Sequence, residues 1–486
     1  MTDLAPVAAV VVLAAGGDTR MRSARPKVLH EVAGKTMLSY AVSAAAALAP
    51  EHLVVVVGSQ REQVVDELDR LDESVSWQVQ EEQRGTGHAV RCGLAGLDDI
   101  EGDVVVTYAD VPMLTGDTLR QLVAVHRARG NDATVMTAHL DDPTGYGRIL
   151  RDGERVRGIV EHGAASEEQR GIAEVNSGVT VFEAQTLRAA LDALERDDDG
   201  GELLLTDAVT RANAAGRQVG AHVVEDCWQV AGVNDRVQLA RVHAEMNRRI
   251  LDAWMLAGVT IVDPASTWVD VDVDLAPDVV LHPGTILQGA TTIGEAAVIG
   301  PSTTLMDVEV GARAEVLRTH GSFAVVGEGA TVGPFSYLRP GTILGSDGKI
   351  GAFVETKNAR IADGAKVPHL TYCGDAFVDE GVNIGAGTIF ANYDGERKNP
   401  THVGRDAFVG SNSVLVAPVD VGPGAMVAAG SVVTDDVPAG ALAVARGRQH
   451  TSQDWMARRR PDSKWHHAAA AHDGSIHPKV AESREQ

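Results

Sequence analysis

The stretch LAPDVVLHPGTILQGATTIGEAAVIGPSTTL, Leu275–Leu305, repeats itself every six residues. Leu275, Leu281, Leu287, Ile293, Ile299 and Leu305 share one register, with Gly294 and Gly300 directly behind two of them. The same step returns at Val326, Val332, Leu338, Leu344 and Ile350, and again at Val403, Val409, Leu415, Val421, Val427 and Val433. Three such runs are not chance. A hexapeptide period means a solenoid of short parallel strands, three to a coil, with aliphatics stacked inside and small residues at the corners. About ten coils of roughly 18 residues fit between residues 267 and 443. Stacked coils need few aromatics and many glycines, in keeping with 4% aromatic residues and 51 glycines. Between about 351 and 402 the hexads lapse and polar motifs cluster, as expected where function constrains a repeat.

Upstream the pattern changes. Apolar runs such as Ala8–Leu13, Leu53–Val57 and Val104–Tyr108 read as buried parallel strands, alternating with helix-like segments at Ser39–Leu48 and Arg61–Leu68. That alternation predicts an α/β domain with a doubly wound sheet, whose ligands lie beyond the carboxyl ends of the strands. Residues 236–256 carry Val237, Leu239, Val242, Met246, Ile250 and Trp254 at mostly helical spacing and read as a connector helix. The expected organisation is thus an α/β domain over 1–235, the connector, a solenoid over 257–457 and a disordered tail over 458–486.

The chain has 486 residues, with 43 Lys and Arg against 67 Asp and Glu, a formal charge of −24. Such a balance argues against a general nucleic-acid or anionic-membrane binder. Cys92, Cys227 and Cys373 are too scattered for a disulfide framework or a zinc site. The start lacks a cationic leader and the run Val7–Ala15 is too short to span a bilayer, so the cytoplasm and no membrane insertion are expected. An anionic ligand must then be met by local cations. Arg20, Arg22, Arg25 and Lys27 follow the first strand and the glycine turn Leu13, Ala14, Ala15, Gly16, Gly17. Exposed backbone N–H groups in such a turn wrap phosphate oxygens, and no Gly-Lys-Ser/Thr follows to make it a Walker loop.

The segment LAAGGDTRM…RPKVLHEVAGKTML resembles the sugar nucleotidyltransferase signature, and QEEQRGTGHAV, YADVPML, PTGYGRI, EVNSGV and AGVND agree. Together with LRPGTILG, VETKNARI, HLTYCGD, NIGAGTIFANYDG and FVGSNSVLVAPV, nearly the whole chain resembles the bacterial bifunctional N-acetylglucosamine-1-phosphate uridyltransferases/glucosamine-1-phosphate N-acetyltransferases. The resemblance implies a Rossmann-like domain followed by a left-handed parallel β-helix, a homotrimer, and synthesis of UDP-N-acetylglucosamine from UTP and acetyl-CoA with Mg²⁺. Two positions depart from the pattern: Asp18 stands for the loop's second glycine, and Ala109 for the glycine before Asp110.

Uridylyl transfer joins two anions, so it needs charge neutralisation and alignment more than a base. By resemblance Asp110 and Asn234 hold the metal, while Arg20 and Lys27 meet the triphosphate. Leu13, Ala14, Ala15 and Gly16 wrap it, and Gln80, Gly85 and Thr86 read the uracil. Gly147, Glu161, Asn176 and Thr206 line the sugar side. Acetyl transfer needs a proton acceptor near neutral pH, and His369 is of the right type. The resemblance adds a phosphate clamp of Arg339, Lys357 and Lys398, and sugar or acetyl contacts from Tyr372, Asn383 and Asn392. For acetyl-CoA it suggests Ala386, Asn392, Tyr393, Ser411, Ala429 and Arg446; Ser411 has no base beside it and is not a nucleophile. An alternative keeps only nucleotidyl transfer, with the solenoid as an oligomerisation or regulatory module. The polar cluster around His369 weighs against it.

Overall fold

The computed structural model describes residues 5–16, 19–58, 61–71, 74–97, 99–196 and 201–472. The first half begins with β1 (Ala9–Ala14), a hairpin of β2 (Glu31–Val32) and β3 (Lys35–Thr36), α1 (Met37–Ala46), β4 (His52–Val57) and α2 (Arg61–Leu68). It continues through β5 (Ser76–Val79), α3 (Thr86–Gly93), β6 (Asp103–Tyr108), α4 (Gly116–Arg129), β7 (Ala133–His139), β8 (Arg148–Asp152) and β9 (Arg155–Val160). It closes with α5 (Glu167–Arg170), β10 (Glu174–Glu183), α6 (Ala184–Arg196), α7 (Leu205–Ala214), β11 (Val219–Val223) and α8 (Arg236–Leu256).

Side chains alternate across a strand, so an unbroken apolar β1 must be covered on both faces. Val10, Val12 and Ala14 join one apolar cluster with Leu38 and Val42 of α1 and Leu119 and Leu122 of α4. Ala9, Val11 and Leu13 join the other, with Val90 of α3, Leu187 of α6 and Leu205 of α7. The sheet runs β11-β7-β10-β6-β1-β4-β5, doubly wound as expected. It is mixed rather than purely parallel, because β10 is antiparallel to both β6 and β7. Sequence alternation alone does not report strand direction, and β8 and β9 attach at β10 as a side hairpin.

From Thr260 onward the chain is a parallel β-helix. One sheet holds 11 strands from Thr260–Ile261 to Leu442–Ala443; the other two faces merge into a 15-stranded sheet where longer strands such as Glu355–Ile361 round a corner. Every residue of the three hexad runs is buried. The hexads expected to lapse between 351 and 402 continue as far as Phe390 and lapse only from there to 402. Thr356, Ile361, Val367, Cys373, Val378, Ile384 and Phe390 continue the interior ladder, all at most 1% exposed, with two steps shortened to five residues. Coils stack only if each fills the shaft, so the interior keeps its apolar residues while the polar motifs occupy outward positions. One interruption is real: Asn383 pairs with Phe408, a step of 25 residues against 18 for Val280 with Val298. The extra chain is a projecting hairpin bridged between Tyr393 and Lys398.

Helix α8 belongs to both halves. Val242 and Met246 pack with Val32 and Val233 of the α/β domain, and Leu251, Ile250 and Trp254 pack on the end of the solenoid core. Buried Asn247 donates to the Thr267 carbonyl at 2.8 Å and accepts from the Val269 N–H at 3.0 Å, clamping the helix to the first coil. Val237, placed on the apolar face by spacing, is 60% exposed, while Leu239 of the same turn packs on the cluster of Val32 and Val233. Beyond 457 the expected disorder gives way in part to short helices at Trp455–Arg459 and Lys464–Ala470. Ser463 caps the second by accepting from the His466 N–H, and its alanines favour helix without a core. Residues 473–486 lie outside the described residues.

Candidate functional sites

The carboxyl ends of β1 and β6 open into a cavity of 330 Å³ lined by Leu13, Ala14, Ala15, Gly16, Lys27, Gln80, Gln83, Gly85, Thr86 and Asp110. A second cavity of 220 Å³ adjoins it, sharing Tyr108 and Asp110 and adding Arg20, Tyr146 and Asn234. Lys27 heads a short helical turn after Pro26, and its Nζ lies 2.6 Å from Asp110 Oδ2 and 3.4 Å from Asn234 Oδ1. Arg20 Nη2 donates to the same Asn234 oxygen at 3.1 Å. A carboxylate and an amide oxygen therefore converge on one ammonium. Hard oxygens in small number suit Mg²⁺, which keeps several waters and takes substrate phosphates as further ligands.

Tyr108 forms the wall between the cavities. Burial, with the Asp110 carboxylate nearby, drives its phenol well above the ordinary range and keeps it neutral. It packs on Gly178, where φ is +87° and an added Cβ would come within 2.6 Å of the ring. Among the residues expected to line the sugar, Thr206 donates to Glu161 at 3.1 Å, and an added Cβ on Gly147 would touch Ile159, Glu161 and Asn176. Ala109 is fully buried, and its methyl joins the apolar cluster under β1; Asp18 lies outside the described residues.

The second group of polar residues is built by coil stacking. The strand Glu355–Ile361 sets Glu355 beside Tyr372 and Lys357 beside Gly374 in register. Arg339 pairs with Glu355 at 2.9 Å, Lys357 with Asp375 at 3.7 Å, and Asn392 donates to Asp375 at 2.6 Å and to the Tyr372 hydroxyl at 3.2 Å. Burial opposes ionisation of Asp375, but bonds from Asn358 and Asn392 and the nearby lysines outweigh it and lower its pKa. The adjacent Lys357 ammonium lowers the pKa of Lys398, which the inserted hairpin carries back over the strand. His369 ends the strand Lys366–His369 in the 11-stranded sheet, around the corner from this cluster, and is exposed. Asn383 is in the same sheet, in register with Lys366, and so apart from Tyr372 and Asn392. Ala386, Ser411, Ala429 and Arg446 form a separate column. Ala386 accepts from the Asn412 N–H, Ser411 from the Gly430 N–H, and Ala429 from the Arg446 side chain, each at 2.8 Å.

Residues 10–214 match the MobA-like NTP transferase domain family, and residues 400–435 match the bacterial transferase hexapeptide (six repeats) family. The chain is 57% identical to the bifunctional protein GlmU of Mycolicibacterium gilvum, over 96% of this chain and 94% of that one. It is 54% identical to that of Kineococcus radiotolerans over 100% and 99%, and 53% identical to that of Streptomyces avermitilis over 94% and 95%. The chain belongs to the bifunctional GlmU family. It is accordingly a two-activity transferase with a nucleotidyltransferase domain and a hexapeptide-repeat acetyltransferase domain.

Within this GlmU family member several supporting groups escaped the sequence reading. Gln83 donates to the Ala15 carbonyl at 2.8 Å and braces the glycine turn after β1, and Asp375 and Glu355 pair with the cations of the solenoid. Both Gln83 and Asp375 sit inside the motifs quoted above, and their polarity at outward positions was the available signal. No helix among the described residues is long and apolar enough to cross a membrane.

Proposed function

We propose that the chain acetylates glucosamine 1-phosphate at the solenoid and then uridylylates the product in the α/β domain, yielding UDP-N-acetylglucosamine and pyrophosphate. The convergence of Asp110, Asn234, Lys27 and Arg20 beside the Gln80–Thr86 cleft carries the second assignment. In that step a sugar-phosphate oxygen bonds to the α-phosphorus of UTP as the bond to the β-phosphate oxygen breaks. Lys27 and Arg20 offset the gathering negative charge, and the turn after β1 binds the phosphates. Asp110 and Asn234 would hold Mg²⁺, which when bound neutralises and orients phosphate oxygens. On the sugar side, the Glu161–Thr206 pair and Asn176 orient the N-acetyl sugar.

For acetyl transfer, the amine nitrogen bonds to the thioester carbonyl and the coenzyme A thiolate leaves. His369 takes the ammonium proton and Arg339, Lys357 and Lys398 bind the sugar phosphate. Tyr372, Asn383, Asn392 and Tyr393 orient the sugar and acetyl groups, and the column of Ala386, Ser411, Ala429 and Arg446 receives the coenzyme. We further propose a cytoplasmic homotrimer. Phe335 and Phe353, stacked at 5.3 Å, and Leu370 form an exposed apolar corner beside His369, which supports burial against another copy of the chain. The test is thiol release from acetyl-CoA run beside pyrophosphate release from UTP. Both must appear; pyrophosphate alone would restore the monofunctional alternative.

A further inference from the structure

Gln80 is 4% exposed, and its amide nitrogen is held on two sides. Nε2 donates to the Gly85 carbonyl at 3.0 Å and lies 3.1 Å from Nδ1 of His88. The amide cannot be flipped, because its oxygen would then face the Gly85 carbonyl, acceptor against acceptor. Its second proton needs an acceptor, and His88 Nδ1 serves only when the imidazole is neutral with its proton on Nε2. Cys92 Sγ, 3.7 Å from His88 Nε2, is a weak acceptor for that proton. With both amide protons turned inward, Gln80 has only its carbonyl oxygen left for the cavity it lines.

We propose that His88 is a positioning residue for base selection: it holds Gln80 as an acceptor for the N3–H of uracil. This rests on the uridylyl-transfer reading above. Uracil carries a donor at N3, whereas cytosine carries a lone pair there and would face the Gln80 oxygen with no proton between. A buried polar site rejects the isostere that leaves it unpaired. Protonating His88 would set a donor at Nδ1 against the donor of Gln80 and release the amide. Burial first, then Arg84 and Arg91, lower the imidazole pKa, against the Glu82 carbonyl and carboxylate, which raise it. These three charged residues lie on α3 itself and on the loop that leads into it. The acceptor is therefore present at neutral pH and lost as pH falls through a value below the ordinary imidazole range of about 6.5.

The experiment measures kcat/KM for UTP and CTP with the full-length wild type, His88→Leu and His88→Asn, with thermal unfolding as the folding control. If the wild type does not turn over UTP, the uridylyl-transfer reading itself fails. Given that turnover, His88→Leu lowers kcat/KM for UTP by about tenfold or more, chiefly through KM, and compresses the UTP/CTP ratio by a similar factor. His88→Asn puts an amide oxygen near the Nδ1 position without titrating. It keeps the ratio within about threefold of wild type and loses the extra rise in UTP KM that the wild type shows on acidification below the ordinary imidazole range. Titration of the triphosphate is common to all three proteins and cancels. A folded His88→Leu with the wild-type UTP/CTP ratio overturns the proposal, as does His88→Asn with an unchanged acid limb. If His88→Leu does not fold, the pH comparison between wild type and His88→Asn decides alone.

Discussion

The two polar sites of this chain are assembled by opposite means. In the α/β domain Lys27 meets Asp110 across 83 residues and Asn234 across 207, because β1, β6 and the loop before α8 end at the same sheet edge. In the solenoid Arg339 meets Glu355 across 16 residues, and Asn358 and Asn392 each meet Asp375 across 17. A coil is about that long, so stacking sets outward residues one repeat apart side by side. A repeat makes a site by translation. A wound sheet makes one by crossing the chain over itself, and each residue there depends on the whole topology.

If the sites are as separate as this contrast implies, variants should divide the activities cleanly. The largest effect is expected from His369→Ala, which lowers acetyl transfer by about two to four orders of magnitude as a lost general base, with pyrophosphate release unchanged. Retention of most acetylation would mean that the amine arrives deprotonated and the imidazole is structural. Asp110→Ala should reduce uridylyl transfer by about a hundredfold or more and leave thiol release near wild type. Equal loss of both in a folded protein would erase the contrast.

Lys27→Ala should cost uridylyl transfer about tenfold at least, through one lost charge-assisted contact, in an assay titrating UTP. The smallest effect sharpens the comparison at its seam. The β2–β3 hairpin, which begins four residues after Lys27, docks on the first coil: the Val271 N–H donates to the Ala33 carbonyl at 3.0 Å, and Lys35 pairs with Asp272 at 2.7 Å. Residues 1–256 alone lose these contacts but keep both sheet faces covered. The fragment should release pyrophosphate within about tenfold of the full chain, since exposed pairs are worth little. A folded but inactive fragment would show that the solenoid holds the phosphate loop in place.

How much was legible follows from the same contrast. The aliphatic series from Leu275 to Val433 specified its own burial, because a six-residue step has meaning only as stacked coils. The apparent lapse after Ile350 was misread: Thr356 and Cys373 fill interior positions that a search for Val, Ile and Leu passes over. Sequence motifs could name Lys27, Asp110 and Asn234 only by resemblance, as nothing local joins them.

By itself the sequence determined the α/β half, the β-helix and the residue types available for two kinds of anion chemistry, since strand alternation and hexad stacking are short-range packing rules. Only the tertiary structure decided that β10 runs antiparallel, that α8 is shared between two cores, and that Gln80 turns its amide nitrogen toward Gly85 and His88. Those depend on which distant groups compete for the same hydrogen bond or the same buried face, and that competition exists only once the chain has closed on itself.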